Sequence, residues 1–278
     1  MKVVLFCGGL GTRLREFSET IPKPLVDIGN RPIIWHLMKY YACQGHKDFI
    51  LCLGYRGDLI KEFFLEYNEC KSNNFSMQNG GREINLFNRD ISEWKIIFID
   101  TGLNAPIGSR LKSIEPYIEE DEIFLANYSD GLSNIVLQSH IDHLIAKNAV
   151  ASFVSVKPWQ SLHNVSVDSS GIVTHINRIS ESNLWINGGF FVMNRKIFKY
   201  LKTSDELVED TFPLLIKEKR LVTLKHEGFW AAIDTYKDKK RFDSWVERGH
   251  RPWETLHTSL TPMIGKTEEM QDVIVEPR

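Results

Sequence analysis

The sequence predicts an α/β fold in which a mostly parallel sheet is flanked by helices. Two observations support this prediction. In the first half of the chain, short apolar runs alternate with amphipathic stretches, and this β-α-β-α order is typical of parallel sheets covered by helices on both faces. Beyond Val150 the pattern changes to short apolar runs with few helices between them, which predicts mixed or antiparallel strands beside the parallel core.

The first strand is predicted at Lys2–Cys7, because this run is short, rich in branched and aromatic residues, and ended by glycines. A helix is predicted from Pro32 to Tyr41, where apolar residues recur at helical spacing and a proline suits the first turn. The same two patterns predict the other elements of this half, which are strands at Phe49–Leu53, Trp94–Ile99 and Ile123–Ala126 and a helix from Asp58 to Tyr67.

The polar segment Lys71–Asp90 contains two adjacent glycines and is expected to form a loop or an exposed hairpin. Residues 1–256 are expected to form one domain, because the chain has no internal repeat and no low-complexity linker. The polar stretch 257–278 is weakly patterned and is expected to be a loosely packed or disordered tail. The elements predicted beyond Val150 are strands at Ser152–Val156, Val165–Val167, Ile172–Ile176 and Gly189–Met193 and a helix at Tyr236–Glu247.

The composition favours an enzyme that acts on small molecules. The chain has 278 residues, of which 42% are hydrophobic, and its 34 basic residues nearly balance its 36 acidic ones. A general nucleic-acid binder usually carries a basic excess, so no nucleic-acid partner is expected. Because no apolar stretch approaches the length of a membrane span and the first residues lack the apolar core of a signal peptide, a cytoplasmic protein without a membrane partner is expected.

The cysteines and the polar segments carry two further expectations. The four cysteines form no CxxC pair, and Cys7 and Cys52 lie within apolar runs, so buried free thiols are predicted rather than disulfides or a zinc site. A homo-oligomer is expected, with the polar segment Lys71–Asp90 and the tail as contact elements.

A glycine-rich segment, Gly8–Leu14, directly follows the first predicted strand. Glycines let backbone N–H groups approach phosphate oxygens closely, and a helix starting there would add its positive end. Leu14 stands where the dinucleotide fingerprint GxGxxG requires a small residue, which argues against a nicotinamide dehydrogenase, and the Walker A pattern is absent. The loop alone is as compatible with a structural turn as with phosphate binding.

Two basic residues strengthen the phosphate-binding interpretation. Arg13 lies within the loop, and a guanidinium can hold phosphate oxygens through two hydrogen bonds. Lys23 stands between two prolines, which restrict the backbone and help to aim its ammonium group. By itself, a lysine between prolines is more often a solvated surface residue.

Asp130 and Asp234 are candidate metal ligands. Asp130 follows the apolar run Ile123–Ala126, which places a carboxylate at the carboxyl end of a strand, where open α/β sheets bind ligands. Asp234 follows a second apolar stretch, Phe229–Ile233. Two carboxylates can hold Mg²⁺ against triphosphate oxygens, whereas each aspartate taken singly is more often a turn or cap residue.

These motifs resemble the signature of the sugar-phosphate nucleotidyltransferases, and the stretch from Lys23 to His36 is similar in particular to the glucose-1-phosphate cytidylyltransferases. The resemblance spans residues 1–256, with its motifs in the correct order. The segments that carry it are Gly8–Leu14, Pro22–Leu25, Val26–His36, Asp100–Gly102, Ser109–Lys112, Tyr128–Gly131, Ile186–Phe191, Gly228–Trp230 and Asp234-Thr235.

The resemblance implies a Rossmann-like fold of the nucleotide-diphospho-sugar transferase type and a Mg²⁺-dependent nucleotidyltransferase. Such an enzyme joins a nucleoside triphosphate (CTP, with UTP and dTTP as alternatives) to a sugar 1-phosphate or a related phosphorylated acceptor and releases pyrophosphate. The resemblance assigns catalysis to Arg13 and Lys23, nucleotide binding to Gly8, Gly9, Gly11, Thr12, Gly108 and Arg110, acceptor binding to Tyr128, Arg178 and Asn187, and Mg²⁺ binding to Asp130 and Asp234.

Three departures from the family pattern fall on the acceptor side. Asn177-Arg178-Ile179 stands where the family has Glu-Lys-Pro, Ser129 replaces a glycine and is expected to add a side chain near the metal, and Pro158–Asn164 lacks the glycines and arginine of glucose-specific members. These departures predict an acceptor other than glucose 1-phosphate, either another sugar phosphate or a small non-sugar phosphate or phosphonate. A non-catalytic nucleotide-binding regulatory homologue is a further alternative, which the retained charged residues of the donor side disfavour.

Overall fold

Strands and helices alternate through the first half of the chain in the computed structural model, which describes residues 1–9, 21–118, 123–158 and 162–254. The strands are β1 Lys2–Phe6, β2 Asp27–Ile28, β3 Arg31–Pro32, β4 Asp48–Leu53, β5 Phe75–Gln78, β6 Glu83–Leu86, β7 Lys95–Asp100, β8 Ile123–Tyr128, β9 Gly131–Ser133, β10 Ala151–Val156, β11 His163–Val167, β12 Val173–Arg178, β13 Ile186–Asn187, β14 Phe191–Asn194, β15 Leu221–His226 and β16 Trp230–Ala232. The α-helices are α1 Ile33–Cys43, α2 Gly57–Leu65, α3 Glu69–Ser72, α4 Ile107–Ser113, α5 Leu137–Ala146, α6 Phe212–Lys217 and α7 Tyr236–Glu247.

Within the described residues, eight strands form one central sheet in the order β7-β4-β1-β8-β14-β10, with β13 and β15 also paired to β10. Strands β1, β4, β7, β8, β10 and β15 run in one direction, and β13 and β14 run in the other. The predicted α/β fold is therefore confirmed, including the mostly parallel sheet and the antiparallel strands of the second half.

Side chains that alternate along each strand enter two separate layers of core. Along β1, Val3 and Leu5 face the layer that contains α1, α2 and α5, whereas Val4 and Phe6 face the layer that contains α4 and α6. A parallel sheet buried on both faces requires strands that are apolar at successive positions, and β1 and β4 meet this requirement.

The carboxyl ends of β1 and β8 meet at the centre of the sheet. After β1 the chain builds β4 and β7 on one side, and it then crosses to the other side with β8. Connections leaving β1 and β8 therefore diverge, and open α/β sheets bind ligands at such a point. Because Phe6 pairs with Tyr128, the glycines after β1 and the aspartate after β8 lie at the same edge.

The structure differs from the sequence-based expectations in a few elements. The polar segment Lys71–Asp90 forms an exposed hairpin, β5–β6, preceded by α3, so the hairpin alternative is correct. A π-helical turn at Leu207–Thr211 leads into α6, and neither was predicted because the run is short and Pro213 interrupts its periodicity. The predicted tail 257–278 lies outside the described residues.

Two other expectations concern the cysteines and membrane-spanning segments. Cys7 and Cys52 are buried free thiols, as predicted. In the part of the chain that the structure describes, no helix combines the length and the apolar character needed to cross a membrane.

Candidate active site

Three side chains from distant parts of the chain meet at the carboxyl edge of the sheet. The ammonium group of Lys23 lies 2.5 Å from Oδ2 of Asp130 and 2.9 Å from Oδ1 of Asp234. Positions 23 and 234 are 211 residues apart in the sequence, and only the folded chain brings them together. We call Lys23, Asp130 and Asp234 the acidic cluster.

The backbone elements next to Asp130 and Asp234 fix the positions of the two aspartates. Asp130 occupies the tight turn between β8 and β9, and β9 pairs with β16 in an antiparallel ladder. The ladder continues past β16, because the Ile233 N–H donates to the Asp130 carbonyl at 2.9 Å. Asp234 then stands just before α7, whose first turn is closed by a capping box between Thr235 and Asp238.

The position of Lys23 follows from the flanking prolines. Lys23–Leu25 forms a 3₁₀ turn in which Pro24 is buried, and the Leu25 N–H donates to the Pro22 carbonyl at 2.8 Å. Burial of the ammonium group would lower the pKa of Lys23, but Asp130 and Asp234 outweigh that effect and raise the pKa above its ordinary value. Lys23 is therefore charged at neutral pH, and its positive charge faces two carboxylates.

The acidic cluster has the chemistry of a Mg²⁺ site that is completed by substrate. Asp130 and Asp234 both direct a carboxylate oxygen at one cation, the Lys23 ammonium, so the two carboxylates lie close enough together to share a cation. No further histidine, cysteine or acidic residue joins them in a metal-binding group anywhere in the described ranges. Mg²⁺ typically takes one or two carboxylates and fills its other positions with phosphate oxygens and water, so the donor set fits this ion.

The guanidinium of Arg110 lies beneath the glycines that follow β1. It is almost fully buried and donates four hydrogen bonds to protein oxygens, namely the carbonyls of Gly8 (3.1 Å), Leu53 (3.0 Å) and Leu103 (3.2 Å) and the hydroxyl of Thr101 (2.7 Å). Arg110 therefore ties together the segments that leave β1, β4 and β7. Direct contact between Arg110 and a nucleotide stays a prediction, since the structure gives its donors protein acceptors.

Gly8 and Gly54 make room for this guanidinium. A Cβ atom at Gly8 would stand 2.1 Å from Nη1 of Arg110, and one at Gly54 would stand 2.9 Å from the Cα of Gly8. The close approach of the two backbones explains why these positions carry no side chain. Gly9 is exposed, and within the described residues a Cβ atom there would meet nothing within 4 Å.

A cleft of about 320 Å³ opens beside the same loop. Its lining includes Gly8, Gly9, the segment 103–107 and Glu206, whose Oε2 accepts a hydrogen bond from the Ile107 N–H at 3.3 Å. Its volume lies in the range of small-molecule sites. Glu206 was not predicted as a site residue, because a single acid in a polar loop carries no periodic signal.

Gly108 allows close packing of the two segments that form one wall of this cleft. A Cβ atom at Gly108 would stand 2.3 Å from the carbonyl oxygen of Asp205, so the glycine allows α4 to pack against the loop that carries Glu206. The Ser109 N–H also donates to the Asp205 carbonyl, at 3.1 Å. Nucleotide binding by Gly108 itself stays a prediction.

Tyr128 and Asn187 lie together on the other side of the acidic cluster. Their side chains are hydrogen-bonded, and burial raises the pKa of Tyr128 to about 12, so the phenol is neutral at physiological pH. The next residue, Gly188, accepts a 2.8 Å hydrogen bond at its carbonyl from the Trp230 indole N–H. The strand pair that carries Asp234 is thereby fixed to the segment that carries Asn187.

The remaining predicted residues fall elsewhere. Arg178 is the exposed last residue of β12 in the hairpin β11–β12, and within the described residues no hydrogen bond or ion pair joins it to Tyr128 or Asn187. Arg13, Gly11 and Thr12 lie outside the described residues. Ser129 was expected to add a side chain near the metal; its hydroxyl is buried and donates to the Phe6 carbonyl at 2.9 Å.

Comparison with known proteins places the chain among nucleotidyltransferases. The family model for nucleotidyl transferases matches residues 2–238. The chain is 38% identical over 255 residues to the "probable glucose-1-phosphate cytidylyltransferase" of Bacillus subtilis, which covers 91% of this chain and 99% of that protein. It is 34% identical over 258 residues to the glucose-1-phosphate cytidylyltransferase of Salmonella typhi, with 92% and 99% covered.

A solved structure is similar to this chain in its fold. The crystal structure of HddC from Yersinia pseudotuberculosis superposes with a TM-score of 0.62 and 22% sequence identity, covering 88% of this chain and 99% of that one. At this level of identity the likeness concerns the fold alone.

Proposed function

The chain belongs to the nucleotidyl transferase family, and from this premise we propose that it transfers the cytidylyl group of CTP to a sugar 1-phosphate. An acceptor phosphate oxygen attacks the α-phosphorus, the bond to the β-phosphate oxygen breaks, and pyrophosphate leaves with that electron pair. The observation that carries the proposal is the convergence of Lys23, Asp130 and Asp234 at the carboxyl edge of the sheet.

Lys23 supplies positive charge where the reaction concentrates negative charge. Its raised pKa keeps the ammonium protonated through the pH range of the cell. The acceptor phosphate is already an anion, so no general base is needed, and catalysis consists of positioning and charge neutralisation. Lys23 can therefore neutralise the α-phosphate and the attacking oxygen, and Arg13 is proposed to steady the β- and γ-phosphates.

Asp130 and Asp234 would hold the Mg²⁺ ion, which we propose as the cofactor. When bound, the ion would neutralise charge on the triphosphate and help pyrophosphate to leave. The two aspartates also hold the ammonium group of Lys23 at the edge of the sheet, because both accept its hydrogen bonds.

The cleft beside Gly8, Gly9 and Glu206 is the proposed place for the nucleoside. Arg110 contributes by fixing the walls of this cleft, since it binds the carbonyls of Gly8 and Leu103. The choice of CTP rests on the names of the relatives, and UTP and dTTP are the alternatives that the experiment must separate.

The acceptor lies, in this proposal, over Tyr128 and Asn187, with Arg178 as a candidate for its phosphate. A non-sugar phosphate or phosphonate is the alternative acceptor, because Arg178 and its neighbours depart from the family pattern. The proposed homo-oligomer would use the hairpin β5–β6 within Lys71–Asp90, whose exposed apolar residues include Met77 and Ile84 and whose two strands pair only with each other in the described part of the chain.

The test is to measure pyrophosphate release from CTP, UTP, dTTP and GTP with Mg²⁺ and a panel of phosphorylated acceptors that includes glucose 1-phosphate. The proposal predicts that CTP gives a kcat/KM at least about tenfold above the others, which corresponds to about 1.4 kcal/mol of discrimination. Equal rates with all four triphosphates would reject the base assignment. Tight binding of CTP without turnover of any acceptor would favour the regulatory homologue instead.

A further inference from the structure

We propose that Lys157, Trp185 and Lys225 form an anion-binding subsite at the acceptor end of the active site, so that the acceptor carries a second anionic group besides its reacting phosphate. The inference rests on the proposed function, because it concerns the acceptor of that reaction. We call these three residues the lysine–tryptophan subsite.

Two ammonium groups share one aromatic ring in this subsite. Nζ of Lys157 lies 4.7 Å from the centroid of the Trp185 ring, and Nζ of Lys225 lies 5.0 Å from the same centroid. The two charges are therefore within roughly 10 Å of each other, and each is in cation–π range of the ring. The ring fixes where both ammonium groups stand, which limits the entropy lost when they bind an anion.

The three residues come from neighbouring strands at the carboxyl edge. Lys157 directly follows β10, and Lys225 lies on β15, where it pairs with Ser155 of β10. Trp185 directly precedes β13, which pairs with the opposite edge of β10. The indole thus reaches across the end of β10 and joins two lysines that the sequence separates by 68 positions.

The charge of the subsite is not balanced by a neighbouring acid. Within the described residues, no carboxylate lies within ion-pair distance of the Lys157 or Lys225 ammonium group. Among the described residues, the one polar contact to either ammonium group is a hydrogen bond from Lys157 to the Ser182 carbonyl. An ammonium group has three donors, so both lysines keep donors for a ligand.

The position of the subsite connects it to the acceptor. Trp185 precedes Asn187 by two residues, and Asn187 is hydrogen-bonded to Tyr128, which itself precedes Asp130 by two residues. From β8, which leads to Asp130, to β10, which leads to Lys157, the sheet spans two strand spacings, roughly 10 Å. A phosphorylated hexose reaches across such a gap, so the group it presents to the lysines is the one farthest from its reacting phosphate.

The anion can be a carboxylate or a second phosphate, and matched acceptors distinguish them. We would measure kcat/KM for glucose 1-phosphate, glucuronic acid 1-phosphate and glucose 1,6-bisphosphate with the wild type and with Lys157→Met, Lys225→Met and Lys240→Met. Lys240 is the control, because it also lies over an aromatic ring, that of Tyr236 at 4.6 Å, but on α7. Calorimetric binding of the same acceptors, without a triphosphate, provides a readout that does not depend on turnover.

We expect one of the two acceptors that carry a second anionic group to exceed glucose 1-phosphate in kcat/KM and in affinity. The expected ratio of the two acceptors is about tenfold or more, as for charge-assisted hydrogen bonds. Lys157→Met and Lys225→Met should each reduce that ratio severalfold, Lys225→Arg should restore it, and Lys240→Met should leave it unchanged. If this acceptor ratio is the same in the wild type and in all variants, the subsite is rejected, while the nucleotidyltransferase activity itself remains supported by the turnover. If no acceptor is turned over, the proposed function fails, and the calorimetric ratio still decides whether the subsite binds anions.

Discussion

At the scale of single residues, the site depends on side chains that fix other groups as much as on side chains that face a substrate. Arg110 is predicted to bind the nucleotide because it belongs to a motif of the resembling family, and its guanidinium is buried under Gly8 and bound to protein oxygens. The Ser129 hydroxyl likewise binds a carbonyl of β1. A motif identifies which residues matter, and the structure adds which protein groups they hold in place.

The packing of Arg110 against Gly8 gives a direct prediction for stability. Gly8→Ala places a methyl group 2.1 Å from Nη1 of Arg110, so either the guanidinium or the loop must move. We expect a loss of about 1–3 kcal/mol in the free energy of unfolding, measured by chemical denaturation. Gly9→Ala is the matched control, with an expected change within about 0.5 kcal/mol. Equal losses in the two variants would show that Arg110 does not set this constraint.

At the scale of secondary structure, short ladders and caps place the reacting groups. The pairing of β9 with β16 brings Asp130 and Asp234 to one point, and the capping box of α7 fixes the residue that follows Asp234. The pattern of the sequence predicts α7 with the observed bounds, Tyr236–Glu247. Strands β9 and β16 were not predicted, because a three-residue strand carries too few positions to show a period.

The capping box should therefore affect both stability and activity. Thr235→Ala removes the side-chain oxygen that accepts from the Asp238 N–H, which costs about 1 kcal/mol of unfolding free energy. Because Asp234 directly precedes this cap, we also expect kcat to fall by about tenfold through misplacement of its carboxylate. Thr235→Ser keeps the hydroxyl and should retain both properties. Full activity of Thr235→Ala would show that the capping box does not position the carboxylate of Asp234.

At the scale of the whole molecule, the sheet was predictable and the convergence of the site was not. Buried parallel strands are apolar at successive positions, so β1, β4 and β8 could be located within one or two residues. The meeting of Lys23 with Asp234 depends on the strand order, which no local pattern encodes. The family resemblance supplied the aspartate pair, whereas Glu206 and the lysine–tryptophan subsite required the coordinates, because isolated loop residues carry no pattern.

One buried histidine, His36, contributes to a property of the whole fold, its stability at acidic pH. Burial lowers the pKa of His36 to about 4 from an ordinary value of 6.5, and Nε2 lies 3.1 Å from the Ile28 carbonyl. The unfolded chain therefore binds a proton between pH 6.5 and 4 that the folded protein does not, so stability is present above pH 6.5 and lost as pH falls toward 4.

We expect the wild type to lose up to about 3 kcal/mol more unfolding free energy than His36→Gln when the pH falls from 7 to 4. The amide of glutamine can donate to the same carbonyl but does not titrate in this range. Urea denaturation of both proteins at a series of pH values measures the difference. Parallel pH profiles would contradict the assignment of the loss to His36.

The most direct test of the central claim is pyrophosphate release from CTP and a phosphorylated acceptor by the wild type and by Lys23→Ala, with Mg²⁺ present. Lys95→Ala serves as the control, because that side chain is 71% exposed and lies at the amino end of β7, away from the site. We predict that Lys23→Ala lowers kcat by at least about 100-fold, as removal of a charge-stabilising group does in other enzymes, and that Lys95→Ala retains wild-type rates. Undiminished turnover by a folded Lys23→Ala protein would show that the acidic cluster is not the catalytic centre.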